Sequence, residues 1–100
     1  MRYILVTQLE TTGATSCKLQ GITETDQNNL EQRLTNSEIV FIKQPNFIEI
    51  DCQGVKVLNI LAGTQFNYRV IGQSMIVESS KIGGRTVQVQ HTTWTLMKEN

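Results

Sequence analysis

The chain has 100 residues, 39% of them hydrophobic and 18% charged, and its nine basic and nine acidic side chains cancel to a formal charge of zero. A chain of this length makes one domain, residues 1–100, that hides roughly 65% of its unfolded surface, enough for one core but too little for a deep cleft between domains. Zero net charge argues against tight, non-specific nucleic-acid binding, which rests on neutralising many phosphates, and one histidine with two cysteines and no CxxC argues against structural zinc.

Charge falls below the ~25% usual for a soluble domain, and Thr, Gln, Asn and Ser take its place. Such a surface offers hydrogen bonds without long-range steering. A chain near zero charge also tends to associate, so a homo-oligomer is expected, a dimer being the commonest closed form. Cys17 and Cys52 each fall in a predicted strand. A small secreted scaffold would carry more cysteines, so free buried thiols are expected rather than a disulfide. The apolar run at residues 3–6 is too short for a signal sequence or a membrane span, and polar Thr7-Gln8 follows it. The expected location is cytoplasmic, with no membrane contact and no cofactor.

Residues 2–10 (RYILVTQLE) predict an opening strand whose consecutive apolar centre allows burial on both faces. A loose turn at residues 11–15 leads to a second strand over residues 16–22. There Cys17 and Leu19 share one face, and Lys18 and Gln20 the other. Residues 23–36 (TETDQNNLEQRLTN) are the one helical candidate, with a short helix at about residues 25–34. Thr23, Thr25 or Asp26 can cap it, Glu24 and Asp26 suit its positive end, and Arg33 suits its negative end. Leu30 and Leu34, at i and i+4, form a narrow stripe that must dock on the sheet, and Ile22 can staple the first turn.

Residues 38–61 (EIVFIKQPNFIEIDCQGVKVLNIL) hold three β-branched apolar runs, at 39–42, 47–52 and 55–61. Lys43-Gln44-Pro45-Asn46 and Gln53-Gly54 read as the turns between them, Pro45 with its fixed φ and Gly54 with its backbone freedom. Runs joined so closely pair antiparallel, which predicts a three-stranded meander. In its middle strand Ile48, Ile50 and Cys52 point one way and Phe47, Glu49 and Asp51 the other, wetter way. Phe47 on that side implies partial cover by the helix or a second subunit.

Beyond a break at residues 62–65, Phe66, Tyr68 and Val70 alternate with Asn67 and Arg69 as a strand. Gly72-Gln73 ends it, and Met75-Ile76-Val77 forms another. Residues 80–85 (SKIGGR) are the most loop-like. The last strand, residues 86–97, is apolar at odd positions early (Val87, Val89) and at even positions late (Trp94, Leu96). A β-bulge near His91-Thr92-Thr93, or a crossing between layers, reconciles the two phases. Residues 98–100 form a frayed end. Seven or eight strands, one short helix and no βαβ alternation predict a mainly β (α+β) fold, an antiparallel sheet rolled into a small barrel or sandwich.

Residues 79–86 concentrate the functional signal. Ser80, Lys81, Gly83, Gly84 and Arg85 combine a hydroxyl, two glycines and two cations. Glycine N–H groups can form an anion nest, with Lys81 and Arg85 on a phosphate, although the P-loop order GxxxxGK[ST] is absent. A solvated hairpin loop is the plainer reading. Ile82, apolar at the tip, is a candidate partner contact. Tyr68 flanked by Asn67 and Arg69 can serve as a stacking platform, though a shared face with Val70 points to core packing. Glu49 and Asp51 can hold a cation or divide acid and base roles, but alternating carboxylates more simply mark a solvated face, with Lys56 pairing across to one of them. His91, with threonines around it, has no nucleophile motif nearby.

The expected function is therefore a non-enzymatic, β-rich binding protein, an inhibitor or accessory factor of a kind that includes virus-encoded ones. It would act through an uncharged polar surface on a protein or a small anionic ligand. The alternative is a nucleotide or single-stranded nucleic-acid binder using the loop from Lys81 to Arg85. A small enzyme built on Glu49, Asp51 or His91 is the third reading.

Overall fold

The computed structural model describes residues 1–11 and 13–99, with the backbone alone at Ser80 and Ile82. Three antiparallel hairpins share one sheet and are joined by two helices. Strands β1 (Arg2–Thr11) and β2 (Ala14–Gln20) form the first hairpin. Helix α1 (Glu24–Asn36) leads to β3 (Phe41–Lys43) and β4 (Ile48–Ile50), and helix α2 (Gly54–Ala62) leads to β5 (Arg69–Ile82) and β6 (Arg85–Lys98). The order across the sheet is β3-β4-β2-β1-β6-β5, and every neighbouring pair is antiparallel. The sheet ends in two free edges, so it is an open sheet and not a closed barrel. Helices alternate with hairpins, two helices where one was expected, and no parallel βαβ unit forms.

Residues directly opposite one another on paired strands share a face. Ile4 and Val6 of β1 therefore face the same way as Cys17 and Leu19, Ile48 and Ile50, and Leu96. This face is the core. Leu30 and Leu34 of α1, Val57 and Leu61 of α2, and Phe66 close over it. The molecule thus has two layers, helices on one side of the sheet and none on the other.

Helix α1 follows its sequence signals. Thr23 is the N-cap and its hydroxyl accepts from the Asp26 N–H at 3.3 Å, while Leu30 and Leu34 are fully buried. The third run of the expected meander is instead α2. Its Val57 and Leu61 are buried and Leu58 and Ile60 half-buried, while Val55, Lys56 and Asn59 are exposed. That is a helical period, and burial of one stripe outweighs the weak strand preference of Val and Ile.

Gly54 accordingly does not serve a turn. A Cβ built on it would sit 2.5 Å from the Trp94 ring and 3.0 Å from Gln8 Oε1. Gln53 makes no side-chain cap, and Gln8 of β1 supplies one across the core: its Oε1 accepts the Gly54 N–H at 2.6 Å. The helix starts hard against the sheet, where only a hydrogen fits.

Five further expectations change. The first turn is tight, since β1 runs to Thr11 and β2 starts at Ala14; Thr12 lies outside the described residues. Phe66 and Tyr68 are core residues but not strand. They lie in a turn after α2, in which the Tyr68 N–H donates to the Leu61 carbonyl at 2.9 Å. The two short strands at 66–71 and 74–79 are one strand, β5, with its irregularity between Val70 and Gly72. Strand β6 carries no bulge, because its register with β1 is unbroken from Glu10↔Gln90 to Arg2↔Lys98. Its two apolar phases have another cause. Trp94 and Leu96 face the helices, whereas Val87 and Val89 lie where β6 has outrun β1 and stand only beside β5. Lys98 is paired in the ladder rather than frayed, and Asn100 lies outside the described residues.

Substituting Gly54→Ala should destabilise the fold by about 1–3 kcal/mol through overpacking against Trp94, although alanine is the better helix former by up to ~1 kcal/mol. Denaturant unfolding checks this. A shrinking cost in a Trp94→Leu background would identify the ring as the clashing partner, and a neutral or stabilising Gly54→Ala would refute the contact.

Candidate binding surfaces

The residues singled out in the sequence gather only in part. Gly83 and Gly84 are the two central residues of a tight hairpin turn, at φ +60° and +79°, the type I′ geometry that glycine favours and that matches strand twist. The ladder continues to Lys81↔Thr86 and Ile82↔Arg85, so the segment is a hairpin tip and not a loop. A nest places right- and left-handed residues in succession, whereas both glycines here are left-handed. Lys81 shares a face with Thr86, and Arg85, one residue earlier, starts from the other face. Arg69 lies at the opposite end of the same 14-residue strand, about 40 Å from the tip at ~3.3 Å per residue. The backbones of Ser80 and Ile82 belong to the ladder, and their side chains lie outside the described residues.

The carboxylates Glu49 and Asp51 line one small hollow of about 170 Å³ beside Ser16. Glu49 stands opposite Lys18 on the face away from the helices, and Asp51 lies past the end of β4, its N–H donating to the Val40 carbonyl. Lys56 is on α2 and not on a neighbouring strand. Phe47 is half-buried, with the Lys18 ammonium 4.3 Å above its ring. His91 Nε2 is 3.5 Å from Glu78 Oε2 at the surface. Among the described residues, no three His, Cys, Asp or Glu side chains stand close enough to hold a metal ion. Both cysteines are free, and Cys17 Sγ donates to the Cys52 carbonyl at 3.3 Å. Burial, and secondarily Cys52 itself, pushes the Cys17 thiol up to about 12, so it is held as the thiol rather than the nucleophilic thiolate.

One polar cluster is buried, and no local sequence signal marks it. Asp26, in the first turn of α1, accepts from the Tyr68 hydroxyl at 3.1 Å and from Lys98 Nζ at 2.5 Å. The same ammonium lies 4.7 Å from the Tyr68 ring centre. Three distant parts of the chain thus meet on one carboxylate: the start of α1, the approach to β5 and the end of β6. Among the described residues no fully buried side-chain nitrogen or oxygen lacks a partner, and the cluster ties these three parts of the fold together. Burial, then the hydrogen bond to Asp26, pushes the Tyr68 hydroxyl up to about 12 from 10.0.

Two surfaces remain as candidates for binding. A cleft of about 380 Å³ opens between the start of α1 and the β3–β4 turn, lined by Ile22, Gln27, Asn28, Pro45 and Phe47 among others. Its volume lies at the small end of ligand sites. Its one lysine, Lys43, is 3.8 Å from Glu31 and so is already paired. The larger surface is the bare face of the sheet. Across its centre run Thr7, Thr93 and Thr95, with the Thr7 and Thr93 hydroxyls 3.2 Å apart. Tyr3 and Leu5 stand beside them at 55% and 40% exposure. This face was not legible beforehand, because alternation in β1 shows two faces but not which one the helices leave open. Compared with known proteins, the chain matches no family model, and neither a curated protein nor a solved structure is significantly similar to it. No helix among the described residues is long and apolar enough to cross a membrane.

Tyr68→Phe should lose about 1.5–3 kcal/mol, the range for a hydrogen bond to a charged group, measured by denaturant unfolding at neutral pH. Because the folded-state value of Tyr68 is raised, its contribution is present below pH 10 and is lost as pH climbs through 12. Cys17 adds a loss of the same sign above pH 9. The stability of the wild type should therefore fall across this alkaline window more steeply than that of Tyr68→Phe, and parallel curves would contradict the assignment.

Proposed function

We propose that this chain is a non-enzymatic binding protein, an inhibitor or accessory factor, that takes a protein partner on the bare face of its sheet. The observation that supports this is the exposure of Tyr3 and Leu5 on β1, a central strand, with threonines on the neighbouring positions. A fold that needed only its core would not require large apolar side chains there, and such patches mark interaction sites. Tyrosine offers wide contact at low entropy cost and a hydroxyl at its tip. The threonine hydroxyls offer donors and acceptors without charge. Recognition on this face relies on shape and short-range hydrogen bonds, so it is insensitive to salt.

A photoreactive side chain in place of Leu5 should cross-link one discrete protein in the native cell, and the same group in place of the outward-facing Val55 of α2 should not. The Leu5 adduct should persist as salt is raised. Equal labelling from both positions would refute the face. Binding that weakens with salt and disappears in Lys81→Gln/Arg85→Gln would instead support a nucleic-acid or phosphate contact at the hairpin tip.

A further inference from the structure

The two edges of the sheet are built differently. β3 is three residues long, ends in Lys43 and is followed within two residues by Pro45. Short length, lysine and proline are the usual protections of an edge. β5 has none of these along its apolar stretch. It is 14 residues long and pairs with β6 on one side, with no strand on its other side among the described residues. Residues 70–77 (VIGQSMIV) hold no charge and no proline. Met75, Ile76 and Val77 are 60%, 59% and 56% exposed. Because they are consecutive, they present apolar groups on both faces of the edge. An uncharged, apolar, β-branched edge of this kind is a template for strand addition.

We infer that a second copy of this chain covers the edge, its β5 running antiparallel to the first with the two-fold axis at Ile76. Self-complementarity selects both the occupant and the register. Edge-to-edge pairing about a two-fold keeps each face continuous, so residues of like parity must oppose one another. With Ile76 on the axis, Ile76 meets Ile76, Met75 meets Val77, Ser74 meets Glu78 and Gln73 meets Ser79. Every apolar residue of the triplet then faces an apolar partner, and the one carboxylate faces a hydroxyl. An axis at Val77 sets Ile76 against Glu78. An axis at Glu78 sets two carboxylates face to face, which is repulsive. An axis at Met75 sets Ile76 against Ser74 and Val77 against Gln73. Zero net charge leaves no overall repulsion between copies.

The same register answers a second need. β1 supports β6 only from Gln90 onward, so the far half of the β5–β6 hairpin is a two-stranded ribbon, and a ribbon of that kind is marginal in water. Pairing about Ile76 lays Ser79 of one copy beside Gln73 of the other, whose own neighbours are Trp94 and then Val6 in the sheet body. Each ribbon is thereby carried by the other copy's sheet. The contact is independent of any partner on the bare face.

A charge-swap experiment tests the axis. Sedimentation equilibrium should show the wild type as a dimer. Ile76→Lys and Ile76→Glu should each be monomeric, because like charges then meet on the axis, and mixing the two should restore a dimer that native mass spectrometry reads as one copy of each. A wild type that stays monomeric overturns the inference, as do variants that remain dimeric or a mixture that forms no heterodimer. Hydrogen exchange on the unaltered protein gives the answer even if a variant fails to fold. Amides between residues 73 and 79 that point away from β6 should gain protection as the chain dimerises, and free exchange of those amides in the dimer refutes strand pairing.

Discussion

The seating of α2 on the sheet is the contact on which the rest of the structure depends. β4 lies one strand from one edge, and β5 forms the other edge, so the chain must cross nearly the whole sheet between them. α2 makes that crossing. It can do so only because Gly54 lets its first turn touch the Trp94 ring while Gln8 satisfies the Gly54 N–H. From that fixed start, Val57 and Leu61 fall onto Ile4, Val6 and Leu19 in the shared core. Full burial of each such side chain is worth about 1.5–3 kcal/mol. The Asp26–Lys98–Tyr68 cluster then fastens the far ends of the same path. An apolar contact sets where α2 starts, and a polar contact sets where β5 begins.

Elements with local signals were legible in the sequence, and elements whose identity depends on a distant neighbour were not. β1 and α1 carry their own evidence, an apolar run in one and a Thr23 cap with a Leu30–Leu34 stripe in the other. α2 was hidden because Val55, Val57 and Ile60 favour strands individually, and its period shows only when Val55 and Asn59 are known to face solvent. In β6, Val87 and Val89 against Trp94 and Leu96 suggested a bulge, but one straight strand leaving the core explains both phases. For the candidate sites, Gly83-Gly84 marked a turn correctly. The faces on which Lys81 and Arg85 start, and the distance to Arg69, depend on register, which composition does not encode. The bare face depends on which way the helices fold over, a tertiary fact.

Charge plays a small part in this molecule. The shortest ion pair among the described residues, Lys98 with Asp26, is internal, and the Lys43–Glu31 pair is long and of a kind worth about 0–1 kcal/mol. What the surface offers instead is backbone at the β5 edge and hydroxyls with scattered apolar groups on the bare face. Both act only at short range, since neither relies on net charge.

The placement of β1 has a consequence for how the chain acquires its structure during synthesis. β1 precedes the other five strands in the chain and lies in the middle of the sheet, yet one of its two neighbours is β6, the last of the six, with Arg2 opposite Lys98. The first hairpin can zip as soon as β2 emerges, but one flank of β1 must wait until β6 has been made. Pairings of such long sequence separation form slowly, since loop closure precedes the contacts that reward it. In that interval Ile4 and Val6 lie at an unpaired strand border, the condition in which nascent chains aggregate. Completion of the sheet is therefore a late event, in which β6 closes a structure begun by β1.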